Sequence, residues 1–305
     1  NKNHMLLSKK GILKNPRMCQ SIFGMSKEEI ERLLPTFSQC LIAYRYQLKP
    51  RRKRKVGGGR KGDLPTDSDK LLYILMFLKI YPTYDVLSIL SNHQRSKCGD
   101  SVQLLLPVLE MALGRELVLP KRKARSLEEV FERCPELRDV FMDGTERRTQ
   151  KPKKLKRRNR LYSGKKKATT RKNIVLNTEK KAIIFLSKTK SGRRHDKRVA
   201  DKSGVVKHIP KEVTIWTDTG FQGIKKQYPN SVLPEKSTKK HPLTESQKEN
   251  NRIISGIRVV SEHAICGYKR FKAASDTYRN RLPNMDDTMN GICAGLWNLH
   301  LGQTI

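Results

Sequence analysis

The stretch EVTIWTDTGFQG, residues 212–223, decides the fold. Val213, Ile215 and Trp216 give it the character of a half-buried strand, and the glycine turn after Asp218 closes that strand. The chain carries 65 Lys and Arg against 29 Asp and Glu, a formal charge of +36, so a carboxylate at the tip of an apolar strand calls for a reason. VFMDGTER, residues 140–147, repeats the pattern: Asp143 follows Val140, Phe141 and Met142 and precedes Gly144. One such aspartate is a turn residue. Two ask for a common cause.

Working outward, residues 137–143 read as a first strand ending at Asp143, with 173–177 and 182–189 as two more joined by a Glu-Lys-Lys turn. Residues 213–218 form a fourth strand ending at Asp218, and 231–236 supply a short fifth. A helix near 195–203 lies between the third and fourth strands, a long one runs from about Thr244 to Phe271, and 289–301 is a packed C-terminal helix. The pattern is an α/β domain: a mixed five-stranded sheet with flanking helices. In such sheets ligands meet the fold at strand ends.

Upstream the periodicity is helical. Ser26 and Glu29 form a capping box for a helix over 26–46, which Pro35 should kink or divide. Residues 67–114 read as three helices, the first capped by Asp67, Ser68 or Asp69 and stopped at Pro82. That arrangement fits a helix-turn-helix and also recurs in domains that bind no DNA. From Lys49 to Lys61 there are eight positive charges, no acid and three consecutive glycines. This is a flexible basic arm, either a solvated linker or a DNA contact through Arg51, Arg52, Lys53 and Arg54. The expected organisation is a helical segment at 1–47, a linker at 48–65, a helix-turn-helix region at 66–120 and a catalytic domain at 121–305.

The charge favours polyanions and is a poor match for a small neutral substrate; nucleic acid comes first and an anionic membrane surface second. The apolar run 71–81 is too short to span a bilayer and is broken by Lys79, and no signal peptide is visible. A cytoplasmic, nucleoid-associated bacterial protein is the expectation. Six scattered cysteines without CxxC pairs argue against zinc or a disulfide framework.

On the long helix, at 100° per residue, Asn251, Ser255, Arg258, Glu262 and Lys269 share an arc of about 60°. Ile253, Ile257, Val260, Ala264, Tyr268 and Phe271 fall on the opposite, packing face. Glu262 is either an ordinary salt bridge to Arg258 or a third acid beside Asp143 and Asp218. Three clustered carboxylates repel one another unless a cation sits among them. Mg²⁺, with Mn²⁺ as a substitute, takes carboxylate and phosphate oxygens, and a two-metal site performs in-line phosphoryl displacement.

The motifs MDGTERR, YSGKKK, HDK and TDTGFQG, with the spacing Ser255-x2-Arg258-x3-Glu262-x6-Lys269, resemble those of the DDE transposases of bacterial insertion sequences. Most similar is the IS-five superfamily, related to the IS-four and Harbinger-type enzymes, and the resemblance covers roughly residues 65–301. It implies a ribonuclease-H-like core and a catalytic, metal-binding triad of Asp143, Asp218 and Glu262. It further implies Arg258 and Lys269 at DNA phosphate or steadying the acids, a DNA partner comprising transposon ends and target duplex, and at least a dimer. Ser255 stands where the signature has Tyr, and Arg193 where many relatives have Ser. About 25 residues separate Asp218 from the Glu262 helix, which leaves no room for a large insertion domain.

Residues 151–172 carry twelve positive charges and no acid, among them Lys165, Lys166, Lys167, Arg171 and Lys172, and are candidates for phosphate contact. Tyr162 is either a base-stacking residue or an anchor on the sheet. His195 and Asp196 either open a helix or support the metals from behind. Trp216 and Trp297 read as core. The function expected is binding of terminal inverted repeats, metal-dependent cleavage at the element ends and transfer of 3′-OH ends to target DNA. The rivals are a nuclease that cuts without joining and a retired transposase that only binds DNA.

Overall fold

A computed structural model of the chain describes residues 9–51, 62–238 and 242–305. Two compact units emerge. The first takes in the described residues up to Leu119 together with Lys269–Asp276 and Thr288–Thr304; the second is Pro120–Tyr268 with Thr277–Asp287 and Ile305.

The first unit is helical, with α1 (Lys9–Lys14), α2 (Pro16–Phe23), α3 (Lys27–Leu48), α4 (Asp67–Ile80), α5 (Tyr84–Ser91) and α6 (Arg95–Arg115). The capping box at α3 is formed: the Glu29 N–H donates to Ser26 Oγ (3.2 Å), and the Ser26 N–H donates to Glu29 Oε2 (2.7 Å). Pro35 does not divide α3, which runs unbroken through it. Pro35 lies on the solvent side, while Ile30, Leu33, Phe37, Cys40 and Leu41 hold the buried face on both sides of it. The cap of α4 is Thr66, one residue before the three expected candidates, because Thr66 and Asp69 close a second capping box. Every residue from Leu71 to Leu78 is buried, which makes α4 the central helix of this unit. Left-handed Tyr81 (φ 50°) ends it, and Pro82 prevents resumption.

The second unit begins with α7 (Glu128–Arg133) and then builds a mixed sheet from β1 (Asp139–Arg148), β2 (Tyr162–Ser163), β3 (Ala168–Thr178), β4 (Ile183–Leu186), β5 (Lys190–Ser191), β6 (Thr214–Thr217) and β7 (Ser231–Val232). Helix α8 (Leu155–Leu161) lies between β1 and β2, α9 (Asp196–Ser203) between β5 and β6, and α10 (Glu245–Lys269) follows β7. The one-turn α11 (Lys272–Ser275) and the longer α12 (Met285–His300) complete the chain. The sheet has seven strands in the order β2-β3-β1-β6-β7, with β4 and β5 also pairing with β3. Two of them, β2 and β5, are two-residue strands that the sequence does not signal.

The first strand does not end at Asp143. Its antiparallel ladder with β3 continues to Arg148, opposite Thr170, while its parallel ladder with β6 stops at Met142 opposite Thr217. The second half, Gly144 to Arg148, lies beyond the strand end expected at Asp143. It is a strand because Glu146 faces Lys172 across the ladder, an opposite-charge pair that suits a sheet.

Around these strands Val140, Met142, Ile174, Leu176, Ile215 and Phe221 form a buried core. Trp216 is half-buried rather than core; its indole N–H donates to Asp139 Oδ1 (2.6 Å) and its ring stacks on Phe141. The apolar face of α10 is covered at its C-terminal end only. Ala264 and Tyr268 are buried, whereas Ile253 and Ile257 are 54% and 38% exposed. Among the described residues, no helix is long and apolar enough to cross a membrane. Cys266 is exposed, Cys134 half-buried, and the other four thiols are buried and free.

Candidate active site

Where the β1–β6 pairing ends, the next residue on each strand is an aspartate. Met142 opposes Thr217, so Asp143 and Asp218 leave neighbouring parallel strands side by side, at a spacing of about 4.8 Å between strands. Asp143 Oδ1 accepts the Gly144 N–H (2.6 Å). Asp218 caps the turn Thr219–Phe221, its Oδ1 accepting the Gly220 N–H (2.8 Å). Burial, then the charge of Asp218 and to a smaller degree that of Asp196, push the Asp143 carboxyl up to about 6; the Gly144 N–H and Arg258 oppose the rise. Two half-buried acids held this close are in electrostatic conflict, which a hard cation relieves.

A third carboxylate adjoins them. Asp196 opens α9 and is buried. A methyl group on Gly144 would lie 2.5 Å from Asp196 Oδ1, and one on Gly220 would lie 3.2 Å from Asp196 Oδ2. The Asp196 carboxylate thus sits against the two backbone segments that follow the two strand-end acids. Behind it, Lys172 Nζ pairs with Asp196 Oδ1 (2.8 Å) and Glu146 Oε1 (3.2 Å), and donates to the Arg194 carbonyl (2.9 Å). Burial raises Glu146, but hydrogen bonds from Thr170 and Ser163 and the charge of Lys172 outweigh it and hold Glu146 below the usual carboxylate range. Gly144→Ala should force Asp196 aside. We expect a stability loss of about 1–3 kcal/mol, read as a lower Tm, together with reduced metal-dependent cleavage.

The residues singled out from sequence divide into groups. Asp143, Asp218, Asp196 and the half-buried Arg258 come together. Glu262, one turn beyond Arg258 on α10, is exposed. Among the described residues, no three His, Cys, Asp or Glu side chains are arranged to hold a metal ion. The donors present are a carboxylate pair with oxygen atoms only, one member raised by burial and then by its neighbour, and this chemistry fits a hard divalent cation better than zinc. His195 caps α9 from an exposed position without a side-chain cap bond.

Lys172 is turned inward, 5% exposed, with its charge taken by Glu146 and Asp196. Arg171 pairs with Asp286 (3.3 Å) and lies over the Tyr278 ring at 4.9 Å from its centroid. Lys165, Lys166 and Lys167 are exposed in the β2–β3 turn, Tyr162 is 46% exposed, and Lys269 is half-buried. Arg51 is exposed beyond α3; Arg52, Lys53 and Arg54 lie outside the described residues. The charge run conceals the burial of Lys172, although its alternation with Ile174 and Leu176 along β3 signals an inward face.

Comparison with known proteins points to the same chemistry. Residues 142–298 match the DDE superfamily endonuclease family. A probable transposase for insertion sequence element IS702 from Microchaete diplosiphon is 30% identical over 255 residues, which is 83% of this chain and 87% of that protein. No solved structure matches significantly. With half its length in that family and most of it aligned to an insertion-sequence transposase, the chain belongs to the DDE transposases, enzymes of the DDE endonuclease superfamily.

Proposed function

We propose that this enzyme binds the terminal inverted repeats of an insertion sequence of the IS-five type, cleaves phosphodiester bonds at the element ends and joins the 3′-OH ends to target DNA. The observation that carries the reading is the paired Asp143 and Asp218 at the point where β1 and β6 part, with Asp143 raised to about 6. Asp143 and Asp218 would hold Mg²⁺, and Glu262 would complete the set from α10, in a core of ribonuclease-H-like type. When bound, the metal supplies activation of the attacking oxygen and charge stabilisation of the leaving one.

The chain's own groups do the rest. Asp143 is ionised above about pH 6, a form that the charge of Arg258 favours; Lys172 and Glu146 brace Asp196 against the backbone that follows both acids. Arg258 and Lys269 would meet phosphate along the α10 stripe, and Lys165, Lys166 and Lys167 would meet it from the β2–β3 turn. Helices α5 and α6, joined by residues 92–94, suit a helix-turn-helix. His93 locks that turn through Asp63 (2.8 Å) and Ser101 (2.8 Å), and Arg95 and Lys97 open α6 where such a helix reads DNA. Cutting two ends together requires at least a dimer.

The test is supercoiled plasmid carrying the element ends, incubated with Mg²⁺ or with EDTA. Nicks and joined products that need the metal are the expected result. Metal-dependent nicks without joined products would reduce the protein to a nuclease, and binding without any cut would reduce it to a DNA-binding protein.

A further inference from the structure

Two hollows lie in series between α8 and the segment from β5 to α9. One, of about 410 Å³, is lined by Arg157, Arg160, Arg171, Lys190 and Arg194 with Leu161, Thr189 and Ser191. The next, of about 570 Å³, is lined by Lys156, Arg160, Arg193, Arg194, His195 and Arg198 with Asn159 and Ser191. Arg160, Ser191 and Arg194 are common to both, so the hollows are consecutive along one seam. Among the described residues, neither is lined by a carboxylate or by a Phe, Tyr or Trp ring.

The seam is built rather than left over from loops. Ser191 Oγ donates to the Arg160 carbonyl, which ties α8 to β5. The Gly192 N–H donates to the Thr170 carbonyl (3.0 Å), and the Arg194 carbonyl accepts from buried Lys172. Thr189 is held through its N–H and its hydroxyl by Asp287 Oδ1, each at 2.8 Å. Arg171 is fixed by Asp286 and the Tyr278 ring, so this guanidinium needs little further ordering to meet an anion. The seam also has a direction. His195 lines its second hollow, and the next residue is Asp196, whose carboxylate lies against the backbone after Asp143 and Asp218.

We propose that this seam binds consecutive phosphates of the DNA strand that is fed to the acids, with Arg157, Arg160 and Arg194 as principal contacts. The proposal rests on the phosphoryl-transfer reading above and adds the track by which the strand arrives. The guanidiniums of Arg157, Arg160 and Arg194 meet no carboxylate in the lining of either hollow, and such groups select phosphate. The absence of a Phe, Tyr or Trp platform leaves the bases unread, so the contact is to backbone and independent of sequence. A free phosphate ion carries the same chemistry but would occupy one hollow only.

The test compares wild type with Arg160→Gln and with the triple variant Arg157→Gln/Arg160→Gln/Arg194→Gln. The dissociation constant for a labelled duplex carrying one element end is measured between about 50 and 200 mM salt, and Tm confirms the fold. Each phosphate that is no longer neutralised lowers the slope of log K against log salt by about 0.9, so the single variant should fall by about 1 and the triple by about 2–3. Inorganic phosphate at constant ionic strength should leave duplex binding unchanged. A wild-type slope in both folded variants overturns the proposal, as does inorganic phosphate that weakens wild-type binding to the level of the triple variant. Metal-dependent nicking by wild type is scored in parallel. Its absence would sink the catalytic reading, while the slopes would still decide the seam.

Discussion

Asp143→Asn is expected to lower metal-dependent nicking about a thousandfold or more and, at the same time, to raise the Tm of the metal-free protein. The first effect follows from chemistry: an amide oxygen brings no charge to a divalent cation, and the same loss is expected for Asp218→Asn. The second follows from the conflict between the strand-end acids. Asp143 is raised to about 6 by burial and by Asp218, so its ionised form costs the fold free energy at neutral pH. In the unfolded chain it titrates near 4, as other aspartates do. A raised carboxyl contributes stability that is fully present below the unfolded value and is lost as pH rises through about 6. The asparagine variant carries no such loss. Its advantage should therefore be absent near pH 4 and grow to about 1–3 kcal/mol by pH 8. Thermal melts in EDTA across that range check it. A variant less stable than wild type at pH 8 would show that the acids are not opposed.

Asp286→Ala should be the most destabilising single substitution in the sheet-bearing unit. Asp286 is 2% exposed and accepts from Arg147 (3.0 Å) and from Arg171 (3.3 Å). Both guanidiniums lie over the Tyr278 ring at 4.9 Å, and Arg147 is itself buried. Removing the carboxylate leaves two cations sharing one ring, one of them without access to water, and breaking such a buried pair costs about 3–5 kcal/mol. Replacing Arg147 in the same chain, as Arg147→Met/Asp286→Leu, should recover more than half of that loss, because no uncompensated buried charge remains at the pair. Urea denaturation of wild type, Asp286→Ala and the double variant measures it. An Asp286→Ala variant within about 1 kcal/mol of wild type would mean the pair is solvated.

Much of this is legible from the residues. Strand and helix order follow from periodicity, since Val213-Ile215 and Ile174-Leu176 alternate and α4 is apolar from Leu71 to Leu78. The two aspartates are legible because each follows an apolar strand segment and has a glycine within the next two residues, Gly144 after Asp143 and Gly220 after Asp218. What escapes is what depends on partners across the sheet. The TERR half of β1 is polar, and only its register against Lys172, Arg171 and Thr170 makes it a strand. The two-residue strands β2 and β5 are too short to have a period. The α10 stripe shows which residues share a face but not whether anything covers them, and Ile253 and Ile257 are exposed. The role of Lys172 is hidden for a related reason. In a run of twelve charges one lysine resembles another, and burial alone separates it from Lys165, Lys166 and Lys167.

The parallel ladder of β1 and β6 also bears on how the molecule assembles. Four rungs, from Asp139–Thr214 to Met142–Thr217, join segments about 75 residues apart. Everything between them in the sheet is antiparallel and local: β3 returns along β1, and β4 and β5 return along β3. Loop closure over that span disfavours early parallel pairing. The local meander is therefore expected to form before β6 and β7 dock, which would keep the two acids apart in the nascent chain until the rest of the sheet can hold them together.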